Sequence, residues 1–143
     1  MFTAISIRPL ATIVLFLAAS SCSVPNLETA GCDEARNEVK RFYSLHFANE
    51  SNPNPGYQAE KSELITPNLK SALSVDDIDG DYFTKTRDFP KAFRVGTCES
   101  LDENRTRLQV VLLWRDDTRN EQSEVTVTAA RTDGKWLINS VER

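Results

Sequence analysis

Residues 106–115 have the sequence TRLQVVLLWR, and this stretch decides the fold. Every second position from 108 to 114 holds a large apolar residue, which places these side chains on one face of a strand. Three further stretches have strand character, at residues 93–98, 124–131 and 135–141. Asp133-Gly134 separates the last two and is a strong signal for a two-residue hairpin turn. The pattern predicts an antiparallel meander.

Helices are predicted before this sheet. Positions 35, 39, 42 and 46 share one helical face, which indicates a helix over about residues 33–48 with Asp33 as its cap or first-turn acid. The Asn-Pro-rich segment 52–56 ends it, and a second short helix follows over about residues 57–64. Thr66-Pro67 begins a third helix, which reaches about residue 73. We therefore expect an α+β domain with N-terminal helices on a curved, cone-like antiparallel sheet of about four strands.

The first residues of the chain have the layout of a secretory signal. Arg8 precedes the apolar run 10–19, and the small residues Ser20 and Ser21 lead into Cys22. The run is about half of the roughly 20 residues that a membrane-spanning helix needs. We expect a signal peptide at residues 1–21, a tether at 22–31 and a single domain at 32–143.

A cysteine at the first mature position resembles the lipobox of bacterial lipoproteins, in which the thiol receives a diacylglyceryl group. Cys22 is the corresponding residue here, with Ala19 where that motif commonly has Leu. The resemblance implies a lipid anchor in the bacterial cell envelope, and Ser23 after the cysteine suggests the outer membrane, facing the periplasm. Ordinary cleavage that releases a soluble periplasmic protein and a retained anchor are the alternatives.

The charge of the chain argues against nucleic acid as a partner. It has 17 Lys and Arg against 21 Asp and Glu, a net charge of −4, and its only adjacent basic pair is Lys40-Arg41. Nucleic-acid binding requires clustered basic residues that neutralise phosphates. The oligomeric state is left open.

Two cysteines remain for a disulfide if Cys22 carries lipid. A bond between Cys32 and Cys98 would close 66 residues of chain, which the chain-entropy model values at about 4 kcal/mol. The alternative is a pair of buried thiols that are too far apart to bond. Neither cysteine has a spacing typical of a metal site, and we expect no metal and no cofactor.

Five short motifs resemble the nuclear transport factor 2-like superfamily, and within it a bacterial envelope family of unknown function with many lipoproteins. They are Arg41-Phe42-Tyr43, Ile65-Thr66-Pro67-Asn68-Leu69, Asp81-Tyr82-Phe83, Arg87-Asp88-Phe89-Pro90 and Asp133-Gly134-Lys135-Trp136-Leu137-Ile138. The resemblance implies a cone of strands closed by helices, whose open mouth often binds small apolar molecules. Some members are enzymes. Arg87 stands where the envelope family commonly has Gln.

An isomerase of this superfamily needs a carboxylate base and hydroxyl donors for a developing oxyanion. Asp88 is the candidate base, and Tyr43 and Tyr57 are the candidate donors. Because Asp88 directly precedes Phe89-Pro90, an acid that accepts hydrogen bonds from nearby backbone in a turn is the more common interpretation.

His46 is the only histidine. We expect a hydrogen-bonded histidine in the core or at its rim, with a ligand-binding or catalytic role as the alternative. The dehydratase type uses paired histidines, which this chain lacks. For Trp114 and Trp136 we expect packing in the core, with pocket lining or contact with a partner as alternatives.

The acidic run 76–81 suggests a calcium loop, because hard cations favour clustered carboxylates. An EF-hand beginning at Asp77 would need Gly at its sixth place, where Tyr82 stands. A solvated acidic loop is therefore expected, and a looser cation site is the alternative.

The sequence leads to a non-catalytic, lipid-anchored envelope domain that binds an envelope protein or a small ligand through the cone. The alternatives are an enzyme of the isomerase or dehydratase type and an immunity-type periplasmic protein. The expected pocket comprises Tyr43, His46, Asp88, Trp114 and Trp136.

Overall fold

The computed structural model describes residues 28–74 and 79–143. Three helices come first: α1 (Ala30–Ser51), α2 (Pro55–Ser62) and α3 (Pro67–Leu73). Four strands follow: β1 (Ala92–Asp102), β2 (Arg105–Arg115), β3 (Asn120–Thr132) and β4 (Lys135–Glu142). The strands form one antiparallel sheet in the order β1-β2-β3-β4, which confirms the predicted α+β class. The predicted signal peptide, Cys22 and residues 23–27 of the tether lie outside the described residues.

Side-chain caps set the helix starts. The Thr29 side chain accepts a hydrogen bond from the backbone N–H of Cys32, so α1 begins at Ala30. The predicted start near Asp33 is late because Asp33 lies inside the first turn. Residues 30 and 31, expected at the end of the tether, are therefore helical. Thr66 caps α3 with Pro67 as its first residue, as predicted.

The outer strands are longer than their hydrophobic patterns indicate. Between Val95 and Cys98 the register shifts by one residue, because Gly96 and Thr97 of β1 stand opposite the single residue Gln109 of β2. The pairing then resumes, and β1 continues to Asp102. β3 begins at Asn120, where polar side chains pair with the end of β2 and give no apolar alternation. The hairpin turn is confirmed: Asp133 and Gly134 both have positive φ, 51° and 77°, as a type I′ turn requires.

The apolar face of β2 lies in the core, as predicted. Its side chains at 108, 110, 112 and 114 are buried, and the inner face of α1 packs over them with Val39, Phe42 and Tyr43. Aromatic rings fill the space between helix and sheet, with centroids 4.6 Å apart for Phe42 and Phe83 and 5.5 Å apart for Tyr43 and Phe93. The inside of the fold is thus packed with side chains.

Both edges of the open sheet are partly covered. At β4, Ile138 exchanges backbone hydrogen bonds with the connection between α2 and α3, accepting from Thr66 N–H at 2.9 Å and donating to the Leu64 carbonyl at 2.8 Å. At β1, the Arg36 guanidinium donates to the carbonyl of Gly96 at the register shift. Such contacts reduce the unpaired backbone that an edge strand presents.

Cys32 and Cys98 form a disulfide that joins the first turn of α1 to β1. Their Cα atoms are 5.8 Å apart, inside the usual range for a bridge. The bond was the favoured prediction for these two cysteines.

The molecule has two ends. The proximal end holds the start of α1, the β1–β2 turn and the β3–β4 hairpin; Trp136 of β4 contacts Glu34 of α1 there. The distal end holds the end of α1, the segment 79–91 and the β2–β3 turn; Phe47 of α1 contacts Phe89 there. Since α1 has 22 residues, the two ends are separated by about 33 Å of helix.

Candidate functional site

The five residues of the expected pocket do not form one pocket. Tyr43 and His46 are buried under α1, with 0% and 6% of their surface exposed. Asp88 and Trp114 lie at the distal end and Trp136 at the proximal end. The single cone pocket predicted from sequence is therefore wrong, because aromatic rings occupy the interior where it would have been.

His46 lies at the centre of a three-residue polar array. Its Nδ1 is 3.1 Å from Lys61 Nζ of α2, and its Nε2 is 2.9 Å from Asp81 Oδ2 in segment 79–91. Because a charged lysine can only donate, Nδ1 accepts, and the ring proton of neutral His46 is on Nε2 facing Asp81. The distance from Nε2 to Asp81 Oδ2 is short enough for an ion pair, but the angle at Nε2 does not meet the geometry of a hydrogen bond. The expected hydrogen-bonded core histidine is confirmed.

Asp81 holds the segment that follows it. Its Oδ1 accepts from the backbone N–H groups of Phe83 and Thr84, at 2.9 and 2.7 Å. Burial opposes the charge on Asp81, but His46 and the Thr84 hydrogen bonds outweigh it and keep the pKa of Asp81 below its ordinary value. Gly80 makes the turn possible, since its φ is +97° and an added Cβ would lie 2.7 Å from the carbonyl oxygen of Thr86.

The other two titratable groups near the array respond to burial. Burial lowers the pKa of Lys61, against the attraction of Asp81 and Glu50. Burial also raises the pKa of Tyr43, whose hydroxyl donates to the Phe83 carbonyl at 2.7 Å. Tyr43 is therefore engaged in a core hydrogen bond, and Tyr57, the other expected donor, is half-exposed on α2.

Asp88 is exposed, and its carboxylate pairs with Arg119 of the β2–β3 turn. The sequence predicted that the Asp88 side chain would accept from nearby backbone, and this is wrong: Asp81 has that role. The main-chain carbonyl of Asp88 accepts a hydrogen bond from the Trp114 indole at 3.2 Å.

The distal cleft has a volume of about 610 Å³ and is strongly polar. It lies between segment 79–91, the end of β2, the start of β3 and the last residue of the chain. Trp114 forms an apolar part of its wall, with the Arg119 guanidinium 5.0 Å from the ring centroid. Two of the three roles considered for Trp114 therefore apply, since it is 6% exposed in the core and also lines a cleft.

A proximal cleft of about 420 Å³ lies between α1 and β4. One wall is a helical stripe of Glu34, Glu38 and Arg41, and the other is the start of β4 with Trp136. The Trp136 indole donates to Glu34 at 3.0 Å, and Arg41 is paired with Glu60 at 2.6 Å outside the cleft. Trp136 is 4% exposed, so it also combines core packing with a place in a cleft wall.

The acidic run 76–81 is only partly described. Asp76, Asp77 and Ile78 lie outside the described residues; Asp79 pairs with Arg87, and Asp81 faces His46. Within residues 28–74 and 79–143, no group of three or more His, Cys, Asp or Glu side chains is arranged to hold a metal ion. In the same part of the chain, no helix is both long and apolar enough to cross a membrane.

Three residues of these sites were missed by the sequence analysis: Lys61, Arg119 and the inward role of Asp81. Asp81 begins the Asp-Tyr-Phe motif, so its position beside buried aromatic residues was a usable signal. Lys61 and Arg119 had no such signal, because each meets its partner only when separate segments come together. Lys61 is 15 residues from His46 along the chain, and Arg119 is 31 residues from Asp88.

No protein-family model and no curated protein matches the chain. A crystal structure of a protein of unknown function from Bacteroides thetaiotaomicron VPI-5482 is similar in fold. The similarity has a TM-score of 0.51 at 15% sequence identity and covers 78% of this chain and 91% of that one. At this identity the likeness concerns the fold alone.

Proposed function

We propose that this chain is a non-catalytic, lipid-anchored domain of the bacterial cell envelope, with a nuclear transport factor 2-like fold. It is attached to the outer membrane through Cys22 and binds a protein partner or a small ligand at its surface. The packed interior favours surface binding over binding inside the cone, since the rings of Phe42, Phe83 and Phe93 occupy that volume.

The single observation that carries the proposal is the position of the distal cleft relative to the start of the domain. Cys22 precedes the first described residue, Glu28, by six residues, a reach of roughly 20 Å when extended. Lipid on Cys22 would hold the proximal end near the membrane. The distal cleft would then face away from the membrane, about 33 Å along α1, where a periplasmic partner can approach.

Fractionation of cells that express the Cys22→Ala variant tests the anchor. We expect the variant to move from the membrane fraction to the soluble periplasm, or to stay uncleaved, and mass spectrometry of the wild type to show a lipidated Cys22. Ser21→Ala is the matched control: it keeps a small residue beside the cut and should not change fractionation. An unmodified mature N-terminus in the wild type would contradict the anchor.

The second candidate function is an enzyme, and the array of Lys61, His46 and Asp81 is the observation that favours it. Lys61→Gln keeps an amide donor for His46 Nδ1 but cannot carry a proton in catalysis. Asp88→Asn removes the candidate base at an exposed position. We expect both variants to complement a deletion at normal abundance. A stable, anchored Lys61→Gln variant without function would favour the enzyme, whereas loss of function in Asp88→Asn alone would point to binding at the distal cleft, which Asp88 lines.

A further inference from the structure

Helix α2 is attached to the domain by polar contacts more than by buried apolar surface. None of its eight residues, all of them described, is buried. Two of its side chains bond to α1: Glu60 pairs with Arg41 at 2.6 Å, and Lys61 Nζ is 3.1 Å from His46 Nδ1. Because an isolated helix of eight residues is not stable in water, α2 depends on its contacts with α1 to stay helical.

Lys61 makes the stronger of these two contacts. The side chains of Arg41 and Glu60 are 50% and 43% exposed, and an ion pair at such a position contributes little to stability. Lys61 is half-buried, and its ammonium also lies 5.7 Å from the centroid of the Phe83 ring. Lys61 is therefore the main polar attachment of α2 to the domain.

Protonation of His46 would change its two polar contacts in opposite directions. In the neutral ring, Nδ1 accepts from Lys61 and the proton on Nε2 faces Asp81 Oδ2 at 2.9 Å. A second proton would occupy Nδ1, which then cannot accept from the ammonium and places a positive charge beside it. The same proton would give the contact with Asp81 the charges of a full ion pair. Acid would thus break the contact with α2 and strengthen the contact with segment 79–91.

Burial already disfavours the charge on Lys61. Within the described residues, Lys61 and Asp81 are the charged groups in contact with the His46 ring. Glu50, one turn after His46 in α1, attracts Lys61, and Tyr43, one turn before, is buried with its hydroxyl donating to a backbone carbonyl. Burial lowers the pKa of Lys61 in spite of Asp81 and Glu50. Water is therefore the better environment for the ammonium once His46 no longer accepts from it.

The chain on either side of α2 allows the helix to move as a unit. After it, Leu64 stays bound to β4, because its carbonyl accepts from the Ile138 N–H at 2.8 Å. Before it, the Asn54 N–H donates to the Asn49 side chain at 3.2 Å, an exposed contact at the end of α1. α2 can therefore separate from α1 while the sheet keeps its structure.

We propose that α2 is a pH-sensitive cover: protonation of His46 releases Lys61, α2 separates from α1, and the Phe83 ring beneath Lys61 becomes accessible. Histidine is the side chain that changes its charge between pH 5 and pH 8. Asp81 keeps its charge over that range, because its pKa lies below the ordinary value, and so holds segment 79–91 in place. The inference goes beyond the proposed function and does not depend on the lipid anchor.

Hydrogen exchange and NMR on the purified full-length protein at pH 7.5 and pH 5.0 test the proposal. His46 is the only histidine, so its ring signals report its protonation directly. Exchange rates in α2 are corrected with an unstructured peptide of residues 54–63 at each pH. We expect the protection of the α2 amides to fall about tenfold in step with protonation of His46, the effect of losing one hydrogen bond to a charged group. The amides of α1 and of the strands should keep their protection.

Two variants make the test specific to Lys61. Lys61→Gln can either donate to or accept from Nδ1, so it fits both forms of His46, and its α2 protection should agree at the two pH values within about twofold. Lys70→Gln removes the same charge from an exposed position on α3 and should lose α2 protection in acid as the wild type does. Fluorescence of anilinonaphthalene sulfonate, which binds exposed apolar surface, should rise at pH 5.0 in the wild type and in Lys70→Gln but not in Lys61→Gln.

Three results would overturn the inference. The first is wild-type α2 that keeps its protection at pH 5.0, whatever the state of His46. The second is an equal loss of protection in Lys61→Gln and the wild type, which would show that acid loosens α2 by a route other than Lys61. The third is a loss of protection without a rise in dye fluorescence, which would show that Phe83 stays covered.

Discussion

The two tryptophans of the sheet allow the proximal and distal ends to be compared. Both face the core, but different groups cover them. The Trp136 ring lies under α1 so closely that a Cβ on Gly31 would be 3.2 Å from it, and the disulfide fastens the same helical turn to β1. The Trp114 ring is covered by the Arg119 guanidinium. The proximal end is closed by packing and a covalent bond, and the distal end by the ion pairs of Arg119 with Asp88 and Glu121.

Trp136→Ala should give the largest loss of stability. Removing a buried indole from the core costs roughly 3–5 kcal/mol, because the cavity does not fully collapse. Urea unfolding measures the change. Trp114→Ala is the comparison: the Trp114 ring is covered by one side chain, the Arg119 guanidinium, and not by a helix, so we expect a smaller loss of stability. A larger loss at Trp114 would contradict the view that the proximal end is the more tightly packed one.

The disulfide should contribute nearly as much to the free energy of unfolding as the Trp136 side chain. Replacing both Cys32 and Cys98 by alanine should lower the free energy of unfolding by about 4 kcal/mol, since a loop of 66 residues is then unconstrained in the unfolded chain. Thiol labelling of the native, unreduced protein should find neither cysteine reactive. Two readily alkylated thiols would contradict the bond.

Asp81→Asn should have a smaller effect that depends on pH. At pH 7 the variant loses the carboxylate charge that faces His46 Nε2–H, and we expect about 1–3 kcal/mol of destabilisation. Because folding lowers the pKa of Asp81, its stabilising effect is complete above the unfolded value, about 3.9, and is lost as pH falls through the folded value. Unfolding curves from pH 7 to pH 2.5 should therefore converge for wild type and variant in acid.

The matched control for Asp81 is Asp79→Asn. Asp79 pairs with Arg87 at the surface, where an ion pair contributes at most about 1 kcal/mol and is screened by salt. A loss for Asp79→Asn as large as for Asp81→Asn would show that the whole segment is held by its charge and not by the contact with His46.

The fold could be predicted from sequence because its signals are local. The alternation of β2, the Asp133-Gly134 turn and the Thr66-Pro67 start each depend on neighbouring residues, and each is present in the structure. The predicted ends of two elements were wrong where polar residues mark the boundary. β3 begins with a polar stretch that has no apolar alternation, and α1 is capped by Thr29, ahead of the more obvious Asp33.

The candidate sites could not be predicted to the same degree, because they depend on which distant segments meet. Asp88 and Asp81 are both acids near a turn, and nothing local says that Asp81 faces inward to His46 while Asp88 faces out to Arg119. The resemblance to a cone with an open mouth led to an interior pocket. The number of aromatic residues on α1 and segment 79–91, which fill that volume, argued against it.

The partly covered edges of the sheet have a consequence under the proposed lipid anchor. Lipid anchors confine copies to two dimensions, where they meet repeatedly in similar orientations and where bare strand edges would pair between neighbours. Here the guanidinium of Arg36 occupies the carbonyl of Gly96 on one edge, and the backbone of residues 64–66 occupies Ile138 on the other. Under the proposed lipid anchor, these contacts would reduce strand pairing between neighbouring copies in the plane of the membrane.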